Sequence, residues 1–356
     1  MSQELRTARR PPSRIVQIVP HLPPPVEGVG AYAAALADVL AKRFDVETRF
    51  LVGDPAWSGG NGARPVPART AAGLAGDLGN ESTALLHYVN YGYQRRGCPV
   101  WLVEGLARWH AGGTGRRLIV LFHEVWASGP PWRSSFWLQP LQRRLAAKVA
   151  GMSGGAVTSL QRYGELVRPW MERRDVIVMP VFSTVGEPAA VGLLAQRTRR
   201  IAVFGGAGVR RRTYGTFSSA LAETARRLGM AEICDVGPPI DLPLEVGGIP
   251  VRALGVLTAP EVRDLLLDSA AGFLAYPPDF LPKSTIYAAY CAHGVLPVCA
   301  WDRHPQDSHL VAGRHYWTGS GDAEAIAAAA RDWYGGHTLI RQAETFHRLL
   351  TGGGEA

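Results

Sequence analysis

Apolar residues along this chain gather in short unbroken runs, separated by longer stretches in which they recur at helical spacing. RIVQIVP, from Arg14 to Pro20, predicts a buried strand; a Pro- and Gly-rich loop and the helix-period stretch AYAAALADVLAKRF follow it. Further strands are predicted at Val46 to Val52, Ala84 to Val89 and Leu118 to Phe122, with helical patterns between them. From about Met179 to Arg200 the pattern loosens, and a fresh strand, IAVFGG, begins at Ile201.

The second half repeats the alternation. Strands are predicted at Glu232 to Val236, Val251 to Ala253, Ala271 to Ala275 and Val295 to Cys299, and helices at Phe217 to Leu228, Pro260 to Leu267 and Ser284 to His293. The tail from Ala323 to Leu350 is helical. Strands alternating with helices predict an α/β fold with parallel sheets, here two Rossmann-like, doubly wound domains facing across a cleft. The expected boundaries are a flexible N-terminus at 1–13, a first domain at 14–182, a linker at 183–199, a second domain at 200–325 and C-terminal helices at 326–350 packing back on the first domain.

Composition narrows the class. With 356 residues the chain suits two domains of roughly 150 residues each. Because 47% of residues are hydrophobic and only 19% charged, wholesale disorder is excluded. Cys98, Cys234, Cys291 and Cys299 show no C-x2-C spacing, so neither a zinc ribbon nor a disulfide scaffold is expected. No metal site is expected either, as no Asp-x-Asp motif occurs. The net charge of +8 comes from scattered arginine doublets rather than one basic tract, which argues against a nucleic-acid partner. The N-terminus MSQELRTARRPPSR lacks a signal-peptide pattern, and no apolar run reaches ~18 residues, so a cytoplasmic location is expected.

Four places concentrate chemistry at predicted loop positions. In HLPPPVEGVGAY, Gly28, Val29 and Gly30 precede a helix whose first amides attract negative charge; the other reading is an ordinary tight turn. His123 and Glu124 follow LIVLF at a strand's carboxyl end, where an imidazole can orient a hydroxyl, shuttle a proton or simply be a satisfied structural residue. His87, followed by Tyr88 in LLHYVN, has the same setting. In FGGAGVRRRTYG, Gly205 and Gly206 with Arg210 and Arg211 form either a diphosphate cradle or a solvated surface turn. In YPPDFLPKSTIYAAY, Lys283 stands beside a helix start capped by Ser284 or Thr285, an unfavourable pairing unless an anion joins it; the other reading is a Lys283 that faces solvent.

Together these motifs resemble the GT-B glycosyltransferases, most closely the retaining family 4 of nucleotide-sugar-dependent enzymes, over about Arg14 to Leu350. Glu27-Gly28-Val29-Gly30-Ala31-Tyr32 matches the family's glycine loop and Tyr-bearing helix with the first glycine replaced, and His123-Glu124 matches its His-Asp pair. The runs GIPVRALGVLTAPEVRDLLLDSAAGFLAYPP and AAYCAHGVLPV resemble the segments that flank its donor motif. Two departures stand out: Gly206 and Arg211 occupy the places of a donor-binding arginine and lysine, and the Glu-x7-Glu positions fall on Leu281 and Ala289.

The resemblance implies transfer of a sugar from a nucleotide-diphosphate sugar to an acceptor hydroxyl, with retention and without a metal or other cofactor. It implies donor contacts from Gly205, Gly206, Arg210, Arg211, Asp279, Lys283, Ser284 and Thr285 in the second domain. His123 and Glu124 would be the catalytic pair, and Gly28, Val29, Gly30, Tyr32, His87 and Tyr88 would form the acceptor or phosphate loop. The missing glutamates leave an alternative, a GT-B pseudoenzyme that binds nucleotide or sugar without turnover. For the acceptor, a saccharide, a lipid-linked sugar and a natural product stay open; Tyr88, Tyr91, Tyr93, Trp126 and Trp132 are candidates to stack on it. The basic, aromatic stretch WRSSFWLQPLQRRLAAKVA has two readings, peripheral contact with the inner face of a membrane, or a helix packing its aromatics inward or shaping an acceptor pocket.

Overall fold

The computed structural model describes residues 13–23, 28–60, 62–172, 174–301 and 309–352. Most of the expected N-terminal tail and Glu27 lie outside these residues. Seven strands build the first sheet: β1 (Ser13–Val19), β2 (Val46–Val52), β3 (Arg64–Pro65), β4 (Thr83–Tyr88), β5 (Arg117–Phe122), β6 (Gly155–Thr158) and β7 (Val176–Val178). Their order is β3-β2-β1-β4-β5-β6-β7, parallel throughout. Six strands build the second sheet: β8 (Thr198–Phe204), β9 (Glu232–Val236), β10 (Glu245–Val246), β11 (Ile249–Gly255), β12 (Ser269–Leu274) and β13 (Leu296–Cys299). It runs β10-β11-β9-β8-β12-β13, with only the β10–β11 pair antiparallel.

Each sheet therefore has a switch point, between β1 and β4 in the first and between β8 and β12 in the second. Connections leave in opposite directions there, and the strands' carboxyl ends open onto a crevice.

Side-chain alternation assigns the faces of the first sheet. Val16 and Ile18 of β1, Ala84, Leu86 and Tyr88 of β4, and Leu118, Val120 and Phe122 of β5 share one buried cluster. Ile15, Leu85, Ile119 and Leu121 belong to another, which continues through Val181 and Phe182 into Leu266, Leu274, Leu281 and Tyr287 of the second half. The seam between the halves is thus apolar and continuous. Period-two alternation also aligns Gln17, His87 and His123 on this second face, and turns Tyr88 away from it.

The structure revises several sequence expectations. The short strands β3, β6, β7 and β10 were not anticipated, since two to four residues carry too little periodicity to show. β8 begins at Thr198, where its first residue pairs with Ser269. The tail is two helices broken at Gly335 and Gly336: Ala323–Tyr334 stays with the second sheet, and Leu339–Thr351 crosses to lie on the Gly28–Phe44 helix. Arg117 donates to the carbonyl of Leu349 at 2.8 Å, holding that crossing helix at its far end.

Candidate active site

Three helix N-termini meet at the facing switch points. The Gly28–Phe44 helix starts beyond β1, the Ala207–Tyr214 helix beyond β8, and the Thr285–Ala292 helix beyond β12. A Cβ added to Gly28 would lie 3.8 Å from Thr285 Oγ1, so the first and third approach each other across the cleft. At Gly205, where φ is +134°, an added Cβ would lie 2.6 Å from Ile286 Cδ1, which sets the second against the third. Only glycine combines that backbone conformation with that approach. Each N-terminus carries roughly half a positive charge, so their convergence makes a site for an anion. Ser284 caps the third helix through the amide of Tyr287, and Gly206 offers no side chain to cap the second.

Lys283 adds a full charge to this place. It ends the short helix Pro278–Lys283, and its Nζ lies 3.2 Å from Glu124 Oε1, joining the two halves across the cleft. The ammonium also stands over the rings of Tyr163, at 5.7 Å, and Phe280, at 5.3 Å, and Arg162 lies over the same Phe280 ring at 4.3 Å. Burial works against the charged form, but Tyr276 and Glu124 outweigh it and raise the Lys283 pKa. Asp279 stands in the first turn of the same short helix, near enough to Tyr316 to help hold its phenol protonated after burial and Cys299.

Opposite the cation lies an imidazole pair, His87 buried and His123 half-buried. His87 Nε2 is 2.9 Å from Gln17 Oε1, and His87 Nδ1 is 3.1 Å from His123 Nε2, with the two rings stacked at 5.4 Å. Gln17 directs its amide nitrogen to Thr48 Oγ1, so its oxygen accepts from His87 Nε2–H. His87 Nδ1 must then accept from His123 Nε2–H, which leaves Nδ1 of His123 as that ring's acceptor. Burial, and then Lys283, push the His123 pKa down to about 3; burial, and then His123, drive His87 well below its ordinary value. Both rings are neutral at physiological pH. Tyr32 sets its ring edge against both histidines, stacks on Phe182 at 4.2 Å, and donates its hydroxyl to Gln342 of the crossing C-terminal helix.

Other expected site residues are placed elsewhere. Arg210 is 1% exposed and grips Asp235 at 3.0 and 3.1 Å while also bonding the Pro238 carbonyl, so it braces the second sheet instead of facing a ligand. The reason is local: FGGAGVRRRTYG forms a helix where a cradle or turn was expected, and successive arginines point about 100° apart. Arg210 points inward, and Arg211 and Arg212 stay exposed. Tyr88 is fully buried against Phe122, and Tyr93 is buried with its hydroxyl on the Ile18 and His87 carbonyls, so neither can stack on an acceptor. Leu281 and Ala289 are buried core residues. Gln17, Tyr163, Phe280 and Gln342 gave no sequence signal, because each acts through a partner far away in the chain.

No family model and no curated protein matches this sequence. Solved structures do match in fold. An alpha-glucosyltransferase in complex with UDP-glucose and DNA containing an abasic site is 10% identical, with a TM-score of 0.59 over 95% of this chain and 99% of its own. Anabaena Alr3699/HepE in complex with UDP is 11% identical, with a TM-score of 0.57 over 95% of this chain and all of its own. The two parallel-dominant sheets and their facing switch points are thus the GT-B fold that these structures share.

Proposed function

We propose that this chain transfers a sugar from a nucleoside diphosphate sugar, UDP-linked as in its structural neighbours, to an acceptor hydroxyl. The observation that carries the reading is the meeting of the Gly28, Gly206 and Thr285 helix starts beside Lys283, in a fold whose neighbours bind UDP. The diphosphate takes the place of Glu124 opposite Lys283, and Arg211 reaches it from the exposed face of its helix. Charge that develops on the leaving diphosphate is then met by these fixed dipoles and cations, with no metal required for that task.

His123 orients a hydroxyl through Nδ1, its free acceptor, because burial and then the Lys283 charge disfavour the protonated ring. As the family resemblance implies, we propose retention, with the acceptor attacking the face that the diphosphate leaves.

Titration calorimetry with UDP and UDP-glucose, followed by a UDP-release assay across acceptor classes, tests the reading. Binding of UDP that weakens at least about tenfold in Lys283→Met supports it. No binding of any nucleoside diphosphate overturns it.

A further inference from the structure

The Ser134–Met152 helix begins in open solvent. Its buried positions, Gln142, Leu145, Ala146, Val149 and Ala150, all fall after the first two turns, which overhang the first sheet. This overhang and the turn before it expose Trp132 (84%), Trp137 (71%), Phe136 (40%) and Leu141 (40%). The expectation that these aromatics pack inward is therefore not met. Arg133, Trp137, Leu141, Arg144 and Lys148 follow one another at intervals of four, four, three and four, a single stripe along the helix. From Val125 to Gly164 the chain carries no Asp or Glu. Lys148 is paired with Glu104 at 2.6 Å, and Arg143 lies over Trp126, so Arg133 and Arg144 are the cations most available to a partner.

We propose that this overhang docks the protein on an anionic phospholipid surface. Indole rings settle at the boundary between headgroups and acyl chains, and Arg133 and Arg144 meet lipid phosphates. The charge pattern selects this occupant. A nucleic-acid backbone would use the arginines and leave Trp132, Phe136 and Leu141 in water. A second copy packed about a two-fold axis would set the same arginines against each other. Glu124 of the cleft is nine positions before Arg133, so a docked helix keeps the cleft mouth within ~32 Å of the bilayer.

Flotation of the full chain at low salt, with vesicles of phosphatidylcholine alone or mixed equally with phosphatidylglycerol, tests this without any donor or acceptor. The expected result is flotation with the mixed vesicles only, reduced about tenfold or more in Trp132→Ser/Phe136→Ser/Trp137→Ser and in Arg133→Gln/Arg144→Gln. Because every substituted side chain is exposed, the thermal unfolding curves of both variants stay with the parent, and UDP affinity is unchanged in both. Failure of the parent to float with mixed vesicles, or equal flotation of the aromatic variant, overturns the proposal. So does a dimer in sedimentation equilibrium, or duplex DNA binding, that the aromatic variant abolishes.

Discussion

His87 Nδ1 lies 3.1 Å from His123 Nε2, and with Gln17 Oε1 facing His87 Nε2 this contact assigns the His123 proton to Nε2. Gln17 orients His87, His87 orients His123, and the edge of Tyr32 closes the pair off. His87→Leu removes the acceptor for His123 Nε2–H. The expected result is turnover lower by about tenfold or more with UDP affinity within about twofold, since an unmade buried hydrogen bond costs roughly 1–3 kcal/mol. Imidazole nitrogen shifts in labelled protein check the tautomer itself: His123 should report protonation at Nε2 in the parent and a mixture in the variant.

The Glu124–Lys283 pair gives a test in which two substitutions act in opposite directions. Lys283→Met should weaken UDP binding by about 1.5–3 kcal/mol, the size of a hydrogen bond to a charged group. Glu124→Gln removes the carboxylate that competes with phosphate for the same ammonium, and should tighten UDP severalfold. Calorimetry on both variants checks the pair; equal weakening would show that Glu124 supports the site rather than competing within it.

Arg210 and Arg211 are neighbours with different work. Arg210→Met strands the buried Asp235 carboxylate and should cost about 3–5 kcal/mol of stability in denaturant unfolding. Arg211→Ala removes an exposed side chain, so stability should stay within about 0.5 kcal/mol and UDP affinity should fall.

Acid should unfold the protein through its buried histidines. Burial lowers His123 and His337 to about 3 and His293 to about 4, and drives His87 well below its ordinary value. Below pH ~6.5 the unfolded chain takes up protons at these rings and the folded chain does not, so stability falls as pH drops from there toward about 4. Each such ring contributes up to ~1.4 kcal/mol per pH unit in that window. Melting temperatures between pH 7 and 4.5 check this, and His293→Asn should flatten the slope.

Much of the architecture was legible in the chain's periodicity. Apolar runs such as RIVQIVP and LIVLF have to be buried on both faces, and helical patterns between them leave a parallel sheet as the arrangement that covers both. The same periodicity places the glycines, His123 and Lys283 in the loops beyond strand ends. Short strands such as β6 escaped, because four residues cannot show a period. Arg210, Arg211 and Arg212 look alike in sequence, and only the turn of a helix against the second sheet separates the buried brace from its exposed neighbours. His87 and Tyr88 are likewise adjacent, yet the pleat sends one to the cleft face and the other into the core. Local pattern determined which elements form and where their ends lie. Partnership between residues more than a hundred positions apart, as in Tyr32 with Gln342 and Glu124 with Lys283, was decided by tertiary packing alone, because hydrogen bonds and ion pairs depend on distance in space.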